Sequence, residues 1–186
     1  MLLRQVLLVP ARPWQRGTQA SAGQRLAMVE LACRDNPALQ PDAIELLRAG
    51  PSFTVETLRA LRMRFGDHET LWLILGADAF VRLHTWHCWQ ELERLCHLAI
   101  VPRPGIDLAA AIPPALQAWW ARQQGATPGA GTCGGLRVLT APALEISATA
   151  IRRMVAERRS PRYLLPDPVL DYIEDAGIYC QEGHEP

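Results

Sequence analysis

The stretch Leu71-Trp72-Leu73-Ile74-Leu75-Gly76-Ala77-Asp78 decides the fold. Its five consecutive apolar residues read as a short strand of the buried, parallel-sheet kind. Gly76-Ala77-Asp78 then turns the chain directly into helical sequence, so the carboxyl end of a strand passes straight into a helix. In doubly wound sheets that edge holds the ligands. Gly76 lets a backbone or a nucleotide approach closely, and Asp78 offers either a helix cap or a carboxylate for a ribose.

Outward from this stretch the pattern repeats. Residues 5–10, Q-V-L-L-V-P, form a first strand, followed by a polar loop with Arg12, Trp14, Gln15 and Arg16. Ser21 and Gln24 make a capping box for a helix carrying Leu26, Val29 and Ala32, which Asn36-Pro37 stops. Residues 43–47 read as a second strand, broken by Gly50-Pro51, after which Thr54 caps a helix with Leu58, Leu61 and Phe65 at helical spacing. Downstream, Trp89, Leu92 and Cys96 mark a helix face, and residues 97–102 form a fourth strand ending in Arg103-Pro104-Gly105. The glycine-rich residues 125–135 lack the G-x-x-x-x-G-K-[ST] order of a phosphate cradle and read as a flexible surface connection. Residues 136–139 form a fifth strand. Strand alternating with helix predicts an α/β fold with a parallel sheet. We expect a single domain over 1–186, with a core at 1–142 and a C-terminal helical part at 143–186.

That helical part opens on E-I-S-A-T-A-I-R-R at 145–153, where Ser147 or Thr149 can cap a helix whose buried stripe is Ile151, Met154 and Val155. Arg152 lies off the stripe. Two hydroxyls and a guanidinium at a helix start suit a phosphate, although an ordinary capped helix reads the same way. Further on, Asp167 reads as a cap and Pro168 as the first helical residue. Val169, Tyr172, Ile173 and Ala176 form the buried stripe, and Gly177 ends the helix.

Composition narrows the function classes. Nineteen basic residues, all arginine, balance nineteen acidic ones, so no broad field draws the chain to nucleic acid or to a membrane surface. The longest apolar runs are far short of the ~20 residues that span a bilayer. A cytoplasmic location follows by default. Five cysteines without a C-x-x-C indicate neither a disulfide framework nor a zinc knuckle. His84, His87 and Cys88 have no second cluster to complete a four-ligand site, so no metal site is expected.

Six stretches, in order and spacing, carry a resemblance: G-P-S-F-T-V-E-T-L at 50–58, L-G-A-D-A-F at 75–80, T-W at 85–86, R-P-G at 103–105, I-S-A-T-A-I-R at 146–152 and L-L-P-D-P-V-L-D-Y-I at 164–173. Together they resemble bacterial nicotinate mononucleotide adenylyltransferase across nearly the whole chain. The resemblance implies a Rossmann-like nucleotidyltransferase fold. It also implies an enzyme that joins ATP, bound with Mg²⁺, to nicotinate mononucleotide, making deamido-NAD and pyrophosphate. It assigns Ser147, Thr149 and Arg152 to the ATP phosphates and Gly76 and Asp78 to the adenosine half. Thr54 is assigned to the nicotinate carboxylate, Trp86 to a stack on the pyridine ring and Arg103 to the mononucleotide. Arg16 stands at the end of a P-P-H-[KR] loop, which here reads P-W-Q-R, with Gln15 replacing the histidine.

One departure is large. The family's G-G-T-F-D-P-x-H-x-G-H segment, with its phosphate-binding histidines, has no counterpart here, so no catalytic residue is assigned. Met1 falls where the family finishes its first helix. The expectation is therefore a fold with its first strand and helix missing, whose 186 residues alone expose open strand edges, aggregate and lack activity. The competing readings are a non-catalytic remnant that binds a mononucleotide or a partner, and a phosphopantetheine adenylyltransferase. The G-P-S-F-T and T-W stretches argue against the latter. Nothing in the residues speaks to oligomeric state.

Overall fold

The computed structural model describes residues 3–11, 19–123, 131–140 and 146–180. The chain falls into two compact units, Met1–Ser52 with Ile146–Pro186, and Phe53–Glu145.

In the first unit, β1 (Val6–Leu8) pairs in parallel with β2 (Leu39–Pro41), and α1 (Ala22–Cys33) lies between them in the chain. The capping box forms as read: Ser21 Oγ accepts from Gln24 N–H, and Gln24 Oε1 accepts from Ser21 N–H. The expected strand at 43–47 does not. Val6 N–H donates to Ala38 O and Asp42 N–H to Leu8 O, which places the pairing before Asp42. Asp42 Oδ1 then accepts from Ile44 N–H, and Leu46 and Leu47 N–H both donate to Ala43 O. This side-chain-initiated turn competes successfully with extension and leaves Leu47 exposed. Two helices follow Ile146: α7 (Ala148–Ala156) and α8 (Asp167–Asp175). Pro166, not Asp167, is the extended residue that starts α8, so Asp167 already lies in the first turn. Val169 and Ile173 are buried with Ala20 and Ile178, while Ala176 ends the helix on the surface and Leu170 is buried in its place.

In the second unit, α2 (Thr54–Phe65) leads to β3 (Trp72–Gly76), and the chain turns at once into α3 (Ala77–Phe80). A short 3-10 turn at Leu83–Thr85 and another at Trp89–Glu91 precede α4 (Leu92–Leu95) and β4 (His97–Val101). The single helix expected around Trp89, Leu92 and Cys96 is thus split in two. Next come α5 (Leu108–Ala111), α6 (Pro114–Gln123) and β5 (Leu136–Val138). All pairing is parallel, in the order β3-β4-β5, with Gly76 level with Val101. Residues 98–100 of the central strand are wholly buried, with Phe80, Leu83, Leu92 and Leu116 packed in the same core. The α/β expectation of parallel strands holds, with the described strands in two sheets.

Candidate active site

Parallel register puts the carboxyl ends of β3 and β4 side by side, and three of the residues singled out above meet there. Arg103 Nε donates to Asp78 Oδ1 at 3.2 Å. Arg82 reaches the same carboxylate, with Nη2 3.7 Å from Oδ2, and its Nε donates to Asp78 O. Asp78 therefore is not a cap; Gly76 precedes the helix and no side chain closes its first turn. Glycine at 76 leaves room for this pair, because a Cβ there would sit 2.5 Å from Asp78 Oδ1 and 3.1 Å from Arg103 Nε and both side chains would have to shift. Both members of the pair are about half exposed, so the contact sets orientation and adds about 0–1 kcal/mol of stability.

The start of α2 is the second feature of this unit. Phe53, in extended conformation, precedes the helix and its side chain offers no acceptor, and Thr54 is already helical. Thr54 thus does not cap as expected; it contributes a first-turn N–H at an end with no side-chain cap. Such an end carries partial positive charge and suits a carboxylate or phosphate. The His87 ring lies 4.4 Å from the Phe53 ring, which brings the segment after Trp86 to the same helix end. Trp86 itself is half-buried and packs on the core while its backbone is extended.

In the first unit, Ser147 is the cap of α7, its Oγ accepting from Ala150 N–H at 3.1 Å. Thr149 is exposed one residue inside the helix, and Arg152 Nη2 donates to its Oγ1 at 3.3 Å. The Arg152 guanidinium carbon also lies 5.9 Å from the centre of the Tyr179 ring, within cation–π range. Arg153, one residue on, is exposed and 3.9 Å from Glu157. Thr149 and Arg152 are hence joined within the helix that Ser147 caps, with Arg152 held on two sides. Arg16 lies outside the described residues.

Tyr179 was not legible in the sequence, since it lies beyond the helix stop at Gly177 and shares no periodicity with α7. Nor was the role of His97. It is buried, its Nδ1 accepts from Gly135 N–H at 2.8 Å, and its Nε2 faces Gly131 O at 3.1 Å. An accepting Nδ1 puts the proton on Nε2. Residues 131–135 are anchored accordingly, since Gly134 O also accepts from Trp119 and Gln123. The flexible surface connection expected there does not describe these five residues.

Burial lowers the His97 pKa from its ordinary 6.5. The unfolded chain therefore binds more protons than the folded one just below pH 6.5. The stability this neutral imidazole contributes is fully present above that value and is lost as pH falls through it. Between pH 7.5 and pH 5.5 the urea midpoint of wild type should fall further than that of His97→Gln; parallel curves would show that His97 protonates freely in place. Burial also pushes the Cys96 thiol up to about 12, which removes it as a nucleophile. Among the described residues, no three His, Cys, Asp or Glu side chains are grouped to hold a metal ion, and His84 and His87 bond instead to Val81 O and Cys88 Sγ.

Parallel strands that pass at Gly76 straight into a helix define an α/β protein of the doubly wound kind, and a family model described as cytidylyltransferase-like matches residues 4–154. The chain is 40% identical over 182 residues to a probable nicotinate-nucleotide adenylyltransferase of Chromobacterium violaceum, covering 96% of this chain and 86% of that one. A relative of the same description in Acidithiobacillus ferrooxidans is 42% identical over 188 residues, covering 96% and 84%. This chain belongs to the nicotinate-nucleotide adenylyltransferase family, among the cytidylyltransferase-like nucleotidyltransferases. Its fold is similar to that of Plasmodium falciparum nicotinic acid mononucleotide adenylyltransferase complexed with NaAD. There the TM-score is 0.66 at 14% identity, over 95% of this chain and 82% of that one.

Proposed function

We propose that this chain transfers the adenylyl group of ATP to nicotinate mononucleotide, giving deamido-NAD and pyrophosphate in NAD synthesis. The observation that carries this reading is the 40% identity to a nicotinate-nucleotide adenylyltransferase over 96% of the chain. A phosphate oxygen of the mononucleotide attacks the α-phosphorus of ATP in line, and the bond to the bridging oxygen of pyrophosphate breaks. Such chemistry needs alignment and charge neutralisation more than covalent help from protein.

We assign the ATP phosphates to Ser147, Thr149 and Arg152, and the adenosine half to Gly76 and Asp78. Nicotinate recognition falls to the first-turn N–H of Thr54 and to the ring of Trp86, with Arg103 beside the mononucleotide and Arg16 on a phosphate. An α2 start with no side-chain cap supports a carboxylate there over an uncharged amide. Mg²⁺ is assigned to the substrate side: bound with ATP, it would supply charge neutralisation at the phosphates. The acidic group nearest the sheet edge, Asp78, already faces two guanidiniums. We further propose that residues 1–186 act as one nucleotidyltransferase domain. No helix of the described residues is long and apolar enough to cross a membrane. All five cysteines are free thiols, which supports a cytoplasmic, reducing compartment.

The test is pyrophosphate release by the full-length natural protein with ATP and nicotinate mononucleotide, against nicotinamide mononucleotide and phosphopantetheine as rival acceptors. Release that depends on nicotinate mononucleotide is expected; equal or greater release with either rival would refute the assignment. In the same assay Trp86→Ala should weaken mononucleotide affinity by on the order of 1–3 kcal/mol, the worth of a stacked ring, and leave ATP affinity little changed. An unchanged mononucleotide affinity would return Trp86 to the core against which it packs.

A further inference from the structure

Two ties join α2 to the segment that follows Trp86, and both start from residues outside the assigned site. At the helix start, the Phe53 and His87 rings lie 4.4 Å apart, tilted by 32°. Nearly two turns along, Arg59 on α2 bonds Glu91 on the second 3-10 turn, and it also bonds Glu56 on its own helix. Between the ties sits Cys88, a non-glycine residue in left-handed conformation with φ 49°. A backbone in that region persists where its surroundings over-determine it, and here both flanks are held. His87 is exposed, so its ring packing on Phe53 is not a by-product of core burial.

We infer that His87 is a positioning residue for mononucleotide binding: its ring, set on Phe53, holds the neighbouring Trp86 at the uncapped start of α2. The inference rests on the proposed nicotinate assignment and adds a residue that touches no substrate in it. A stacking face orders a flat ring only if the loop that carries it is ordered beforehand, because ordering it at the moment of binding subtracts from affinity. Tying the loop to the residue before the helix fixes stack and carboxylate seat to one frame. The contribution comes from the ring and not from its charge, so an uncharged aromatic at 87 preserves it.

The test is steady-state kinetics of the full-length natural protein with His87→Ala, His87→Phe and His87→Tyr. His87→Ala should raise KM for nicotinate mononucleotide roughly 2- to 12-fold, the span of an aromatic pair, with KM for ATP and the melting temperature held. Both aromatic variants should return KM to within about twofold of wild type. A wild-type KM in His87→Ala would overturn the inference. So would aromatic variants that behave like alanine, which would show charge or hydrogen bonding at work, and so would equal rises for both substrates. If wild type turns over ATP but ignores nicotinate mononucleotide, the assignment beneath the inference fails and takes it along; turnover with an insensitive position 87 removes the inference alone.

Discussion

Arg62→Ala should lower the unfolding free energy by about 1.5–3 kcal/mol, the scale of losing the hydrogen bonds of a buried charged group. Arg62 is a buried arginine on α2, and its guanidinium serves four carbonyls from three separate segments. Nε donates to Leu95 O at 2.8 Å and Nη2 to Thr132 O at 2.8 Å, while Nη1 donates to Gly66 O and Glu69 O. These carbonyls end α4, enter β3 and precede β5, so one side chain fastens the loops at the amino edge of the three-stranded sheet. Removing it leaves four acceptors without their donor, and those of Leu95 and Thr132 lie in half-buried segments where a replacement partner is hardest to find. Arg62→Lys keeps charge, but its compact ammonium has three donors and no planar fork, so it should recover only part of the loss. Urea unfolding checks both variants. A loss below about 1 kcal/mol for alanine would mean that water reaches these carbonyls and that the buried fork is dispensable.

The second large effect is expected on rate. Arg152→Ala should reduce kcat by on the order of 10²–10³, comparable to removing one preorganised donor from a developing charge, with the melting temperature nearly unchanged. Its side chain is partly exposed, anchored by Thr149 Oγ1 and the Tyr179 ring, and carries little packing. Arg152→Lys should also fall clearly, because bidentate contact with phosphate oxygens needs the fork. Turnover at saturating ATP and the KM for ATP measure this. Wild-type kinetics in both variants would make the 147–152 segment an ordinary capped helix start.

Several features of this protein follow from local sequence. The apolar run at 71–75 had one plausible state, since a short bulky run ending in Gly-Ala-Asp cannot complete a useful helix, and β3 occupies it with a one-residue shift. Ser21 and Gln24, three residues apart, supply both halves of a reciprocal cap, and Ser147 caps α7 because its hydroxyl reaches an amide three residues on. Such contacts lie within one turn, so their partners are already named by spacing. Family membership was legible for a similar reason: six short motifs in fixed order survive without any knowledge of contacts.

Elsewhere local preference was ambiguous and distant partners decided. Residues 43–47, apolar but for Glu45, suit a strand as well as a turn, but the pairing of Val6–Leu8 with Leu39–Pro41 ends before Asp42, and Asp42 turns the chain. Asp78 at a helix start reads as a cap, yet Arg103, 25 residues away, and Arg82 take its carboxylate, in the space that glycine at 76 leaves open. Arg62 sits at i+4 from Leu58, where a helix-face reading sees a misplaced charge; only folding brings four carbonyls around it. The same holds for His97, whose two ring nitrogens are paired by Gly131 and Gly135, more than thirty residues on. By itself the sequence determined most of the strand-to-helix rhythm, the caps at Ser21 and Ser147 and the family, because those are encoded within a few residues. Only the tertiary structure decided which charges are buried, which carboxylates are claimed and which rings meet, because each depends on atoms that chain closure brings together.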